Sequence, residues 1–226
     1  MNEILNNYLH SFLHPWQTQE LLRSKRAYNV EVENSGQLEL VERREEKQFS
    51  EDVGVTFEQS LIVSWLFVIF NAVYSLIGMF MGLHLFESFS VPNTLISYSQ
   101  SLLGFTSIFF LVLKVVFFPL VFWLYGKFWV NIIKVFAGLF EKEGDAEKIG
   151  LDIVSQAFTT HTLLVIPIIG LLLHRVANLV YIFGGLRKNL GFSVMQATLV
   201  ILCPLFLILF SFFLMTISIG MMLTGF

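Results

Sequence analysis

From Leu61 to Phe86 the chain runs for 26 residues without a formal charge. At 1.5 Å of rise per residue a helix of that length covers about 39 Å, more than the roughly 30 Å hydrocarbon core of a bilayer. Lipid offers no partner for backbone N–H and C=O groups, so a segment at home there must bond internally, as a helix does. The composition agrees with this reading: 55% of the 226 residues are hydrophobic, 25 are Phe and only 14% are charged, where a soluble domain carries about 25%. Charge is also unevenly placed, since residues 1–59 hold 17 of the 31 charged side chains. A net charge of −3 without a basic block argues against nucleic acid as a partner, and the single Cys203 excludes a disulfide framework or a Cys-rich metal site. The fold class expected is an all-α polytopic membrane protein behind a small charged segment, 1–59, with the membrane domain at 60–226.

In the front segment Ile4, Leu5, Tyr8, Leu9, Phe12 and Leu13 recur at helical spacing, His14-Pro15 breaks the pattern, and Trp16, Leu21 and Leu22 resume it. Short amphipathic helices result, either packed on the protein's own membrane domain or lying independently on lipid. From Tyr28 the period changes to two, with Val30 and Val32 alternating with Glu31 and Glu33, then Asn34-Ser35-Gly36, then Leu38 and Leu40 about Glu39. That pattern predicts a β-hairpin over 28–41. The first long apolar run starts near Leu61 rather than within the first ~30 residues behind a basic start, so the segment is expected to remain uncleaved.

Spans are expected at about 61–86, 103–125, 152–167, 170–187 and 195–222. Between 87 and 101 lies a Ser-rich loop without Lys or Arg. Residues 102–140 exceed one crossing, and after Tyr125 the residues Lys127, Asn131, Lys134, Gly138 and Glu141 line one face. This predicts an interfacial helix over 126–140, the alternative being one long helix that projects from the membrane. Pro167-Ile168-Ile169-Gly170 divides the next apolar stretch into two short arms, and the turn returns Arg187-Lys188 to the side it left. Five spans follow, amino terminus in the cytoplasm and carboxyl terminus outside. Twelve of the 14 Lys and Arg residues then lie on or near the cytoplasmic face, as the positive-inside rule asks.

Within the spans Lys114 is the most costly residue, because an isolated charge in hydrocarbon must pair, snorkel or face a cavity. Asp152, Ser155, Gln156 and Thr159 share one helical face, and His174, Arg175 and Asn178 another. Lys114, Asp152, Gln156, His174, Arg175 and Asn178 are thus a candidate polar seam, serving either as glue between helices or as a conduction path. Gly78-x-x-x-Gly82 permits close helix approach, within the chain or in a homo-oligomer, and Gly184-Gly185 thins the fourth span for packing. The five His residues show no ligand spacing, and no hydrolase, nucleotide or zinc-protease motif occurs, so neither a metal, a cofactor nor an enzymatic activity is expected.

Several of these segments resemble the Yip-one (Yip domain) family. They are the His14-Pro15 opening, the small polar loop from Leu139 through Glu143-Gly144 to Ile149-Gly150, Ile166-Pro167-Ile168-Ile169-Gly170, Tyr181-Ile182-Phe183-Gly184-Gly185-Leu186-Arg187, and Gly191-Phe192-Ser193 with Gln196-Ala197. The resemblance covers about 55–220, and the hairpin expected at 28–41 is no part of it. It implies a five-span, non-enzymatic protein of a bacterial inner membrane or an early secretory membrane. For eukaryotic members it further implies GTPase binding and membrane shaping. A scaffold or membrane-organising factor that engages lipid or a cytoplasmic protein through residues 1–59 is the function expected. The other reading is a small transporter or channel built on the polar seam.

Overall fold

A computed structural model describes residues 2–35, 54–88, 93–142 and 144–224, and among them the chain is helical, without a strand. Seven α-helices follow in order: α1 Asn2–Leu13, α2 Pro15–Ser35, α3 Phe57–Ser88, α4 Asn93–Leu139, α5 Ala146–Ala157, α6 Gly170–Lys188 and α7 Val194–Thr224. A 3-10 segment, Phe158–Val165, continues α5. Among the described residues three stretches are long and apolar enough to cross a bilayer: Phe57–Gly82, Phe105–Leu139 and Val194–Met222.

Local chemistry sets the helix starts. Thr56 and Gln59 exchange backbone-to-side-chain bonds at 3.1 and 3.3 Å, a capping box that opens α3. Ser193 and Gln196 repeat the device at 2.9 and 3.2 Å to open α7. Asp145 caps α5 by accepting from the backbone N–H groups of Glu147 and Lys148.

Helices α3 and α4 run antiparallel, with the rings of Phe57 and Phe122 5.1 Å apart and Trp65 reaching Val115. That second contact answers a specific need. Pro119 lies inside α4 and has no N–H to give the carbonyl four residues back. The orphaned group is the carbonyl of Val115, and the indole Nε1 of Trp65 donates to it at 2.9 Å.

Because Phe57 lies level with Phe122 and Gly126, α4 continues beyond the start of α3 for about 13 residues, or roughly 20 Å. Helix α5 folds back along this extension, with Gly150 against Ile133 and Val130. The chain turns at 166–169, and α6 returns along the 3-10 segment and α5. At the tip Ile168 takes a positive φ of 67° and is 99% exposed, a conformation that a β-branched side chain seldom adopts. The main core lies where these elements meet, around Phe122, Ile133, Ile153, Phe158, Ile182 and Leu186. Helices α1 and α2 lie on this core: Tyr8 is fully buried, and the Trp16 ring rests on Gly184.

Several expectations require correction. Residues 28–35 of the expected hairpin belong to α2, and 36–41 lie outside the described residues. An isolated hairpin would have no sheet to join, whereas extending a helix already anchored at Thr18 and Gln19 needs no new nucleus. The expected loop at 87–101 is shorter, because residues 93–101 are helical. No break separates 103–125 from 126–139; the long-helix alternative is the one adopted, and α5 covers the extension. Among the described residues three helices, not five, meet the length and apolarity of a span. The arms expected at 152–167 and 170–187 form a hairpin turning at Pro167 to Gly170, but its first arm is part of an amphipathic helix followed by a 3-10 turn.

The glycines separate cleanly. A methyl group on Gly184 would run into the Trp16 ring, and one on Gly185 would come within 2.6 Å of Ile153, while one on Gly78 or Gly82 would meet nothing within 4 Å among the described residues. Among those residues, packing within the chain uses Gly184 and Gly185. Gly184→Ala is expected to destabilise the protein in detergent by about 1–3 kcal/mol, as overpacking does, with a change in tryptophan emission. Gly78→Ala should leave thermal unfolding within about 0.5 kcal/mol of wild type.

Candidate functional site

Four consecutive residues after α5 turn their side chains back on the backbone. The Thr159 hydroxyl donates to the Gln156 carbonyl at 2.7 Å, Thr160 to Ala157 at 2.7 Å, His161 Nδ1 to Phe158 at 2.8 Å and Thr162 to Thr159 at 2.9 Å. Each spans three residues. Such bonds compete with α-helical ones, and the chain here tightens into a 3-10 segment. A 3-10 turn leaves carbonyls poorly served, and these are buried.

Other helices supply further donors. The Phe158 carbonyl lies 2.9 Å from the Tyr8 hydroxyl of α1 and 3.3 Å from the Ser64 hydroxyl of α3, which are 3.1 Å from each other. The Ala157 carbonyl accepts from Asn178 Nδ2 of α6 at 3.1 Å, and Asn178 Oδ1 accepts from the Tyr125 hydroxyl of α4 at 2.9 Å. Near the far end of the segment, the Leu164 carbonyl accepts from Asn71 Nδ2 at 3.3 Å. Four helices thus form a collar about one stretch of backbone. Burial pushes the Tyr8 phenol above its ordinary pKa, against smaller opposite effects of Ser64 and Thr162, so it remains a donor at neutral pH.

The six residues of the expected seam fall into separate contacts. Lys114 Nζ donates to Asn71 Oδ1 at 2.9 Å, which ties it to the collar through α3. Asp152 pairs with Arg26 of α2 at 2.6 Å, nearer the outer end of the hairpin. Gln156 Nε2 reaches the Val55 carbonyl at 3.4 Å, while its buried Oε1 lacks a partner. His174 Nδ1 lies 3.0 Å from the Thr160 hydroxyl. That hydroxyl gives its proton to Ala157, so Nδ1–H of His174 is the donor. Asn178 is in the collar, and Arg175 is exposed on α6.

Two participants, His161 and Tyr8, carry no conspicuous sequence signal of their own. The His161 ring and that of His174, 13 residues on across the turn, have centroids 4.1 Å apart, a pairing that only the reversal at Pro167 creates. Tyr8 reads as one apolar position of an amphipathic helix. Asn71 had a usable signal, being the sole side-chain amide in the uncharged run from Leu61 to Phe86.

Toward the other end of α6, charged and polar groups join α1 and α2 to the hairpin. Lys188 pairs with Glu20 at 2.6 Å, Asn189 Nδ2 donates to Gln19 Oε1 at 2.7 Å, and the Tyr181 hydroxyl donates to the Phe12 carbonyl. On the opposite side Lys134, at 2.8 Å, and Lys127, at 3.9 Å, hold the Glu147 carboxylate below its ordinary pKa. Among the described residues no group of three or more His, Cys, Asp or Glu gathers as metal ligands. The arrangement orders backbone and fastens helices. Compared with protein-family models, curated proteins and solved structures, the chain matches none.

Tyr8→Phe removes one of three donors to the buried Phe158 carbonyl, beside His161 and Ser64, and is expected to cost about 0.5–1.5 kcal/mol in detergent unfolding. Ser64→Ala should cost less, and the double variant should depart from the sum, because both act on the Phe158 carbonyl. Additive losses in a double-mutant cycle would show that the two hydroxyls do not share that acceptor.

Proposed function

We propose that this protein is a non-enzymatic, multi-pass membrane-organising scaffold that inserts more of its bulk into one leaflet than into the other. The observation that carries this reading is the hairpin of α5, the 3-10 segment and α6, which shares one end of the molecule with α1 and α2. Asn71, which meets Leu164 near the tip, lies 10 residues past Leu61, about 15 Å along α3. With the hydrocarbon boundary near Leu61, the tip reaches roughly the middle of a 30 Å core. Around it Ile168, Ile169, Leu171 and Leu172 are exposed and apolar, a surface that lipid covers at no hydrophobic cost.

In this reading α3, α4 and α7 cross the bilayer, and the hairpin enters and leaves by the same face. The five-span arrangement places the termini on the same sides, since a shallow hairpin and two full crossings both return Arg187 and Lys188 to their starting face. Lysine and arginine placement supports that face being cytoplasmic, and the membrane proposed is a bacterial inner membrane. The resemblance to the Yip-one family points the same way, toward shaping or organising a bilayer with a cytoplasmic partner or lipid. Transport along the seam has weaker support, because Lys114, Asp152, Gln156, His174, Arg175 and Asn178 divide among separate contacts.

The test is an Ile168→Cys variant in a Cys203→Ala background, sealed in vesicles and treated with a membrane-impermeant maleimide from either side. A half-depth hairpin leaves the thiol unlabelled from both. Labelling from the face opposite the amino terminus would establish two full crossings. In the same vesicles wild type should increase curvature with protein density, seen as tubules by electron microscopy, and Ile168→Ser with Leu172→Asn should reduce it. Equal tubulation by both proteins would remove the basis of the leaflet argument.

A further inference from the structure

At the level where the spans begin, α3, α4 and α5 leave a crevice of about 520 Å³. Its walls are apolar, from Phe57, Leu61, Trp123 and Val130, and its charged groups are Glu58 and Lys127. Two backbone features help to shape it. Gly126 lets the Phe57 ring lie against α4, where a methyl group would come within 2.6 Å of it, and Pro119 lines the crevice one stretch further into the span.

The charges decide what fits. Among the described residues Glu58 has no cation within 4.0 Å, so it does not pair with Lys127 although both line one crevice. Lys127 is also weakly engaged, 3.9 Å from Glu147, whose closer bond goes to Lys134 at 2.8 Å. An apolar slot with separate negative and positive groups complements a ligand with a hydrocarbon tail and both signs of charge in its head. A purely anionic headgroup would meet the Glu58 carboxylate, and a soluble phosphate would leave the apolar walls unused. The ammonium of an aminophospholipid can donate hydrogen bonds to a carboxylate, whereas a trimethylammonium cannot. Trp123, at 48% exposure, stands where Trp commonly marks the hydrocarbon boundary.

We propose that this crevice binds one zwitterionic aminophospholipid of the phosphatidylethanolamine type, its phosphate on Lys127, its ammonium on Glu58, and an acyl chain along Trp123 and Pro119. The site is independent of hairpin depth and of any effect on curvature.

Native mass spectrometry of the full chain, titrated with phosphatidylethanolamine, phosphatidylcholine and phosphatidylglycerol of identical acyl chains, tests it. Wild type should retain phosphatidylethanolamine about fivefold better than either of the others, the scale of one half-exposed charge pair. Glu58→Gln should abolish the preference over phosphatidylcholine while phospholipid binding persists, and Lys127→Gln should weaken all three lipids. Glu58→Lys should shift the preference to phosphatidylglycerol, a gain that misfolding would not produce. Equal retention of the three lipids by wild type, a wild-type preference for phosphatidylglycerol, or preferences unchanged in the variants would overturn the assignment.

Discussion

A backbone carbonyl buried without a donor is costly anywhere and most costly where no water can reach it, and this molecule is organised around meeting that demand. The α-helix breaks into a 3-10 turn after Ala157, and the carbonyls of Ala157, Phe158 and Leu164 are served by Asn178, Tyr8, Ser64 and Asn71. Those donors come from α6, α1 and α3, so satisfying one short stretch fixes the positions of three helices. The same rule operates at Pro119, where Trp65 replaces the N–H that proline cannot offer and ties α3 to α4. Between polar helix-helix bonds of this kind, aromatic packing fills the space, as with the Phe122 and Phe158 rings stacked at 3.7 Å.

This constraint explains why the amino-terminal helices are part of the fold rather than a tail. Tyr8 is wholly buried and bonded to Phe158, Trp16 occupies the notch at Gly184, and Arg26 meets Asp152. Each contact lands on the hairpin of α5, the 3-10 segment and α6. Helix α7 shows the opposite condition. Ala197 and Val200 are buried in the core, but from Leu205 to Met222 every residue is exposed and nearly all are apolar, as befits a helix whose neighbour is lipid.

The long uncharged runs were legible in the sequence because hydropathy acts locally and additively, and the turn at Pro167 to Gly170 was legible because proline and glycine limit the backbone directly. Asp145, Thr56 with Gln59 and Ser193 with Gln196 stand at helix starts for equally local reasons. The expected hairpin at 28–41 failed because two-residue alternation at Val30 and Val32 measures side-chain placement, not the availability of a partner strand. The division of 103–140 failed for a related reason: Lys127 and Lys134 mark where α4 meets water, and a helix can pass that boundary intact when α5 covers it. The polar seam was half legible. Face arithmetic within one helix placed Gln156 and Asn178 near the core, but pairings such as Lys114 with Asn71, or His161 with His174, depend on how separate helices are set against each other, which periodicity does not encode.

Amide hydrogen exchange in lipid nanodiscs, followed across residues 158–165, reaches the central claim most directly. The collar should make these amides exchange as slowly as those of α6, and Tyr8→Phe with Ser64→Ala should speed them selectively while α3 and α4 stay protected. Loop-like exchange in the wild-type protein, or rates indifferent to the loss of both hydroxyls, would contradict the account.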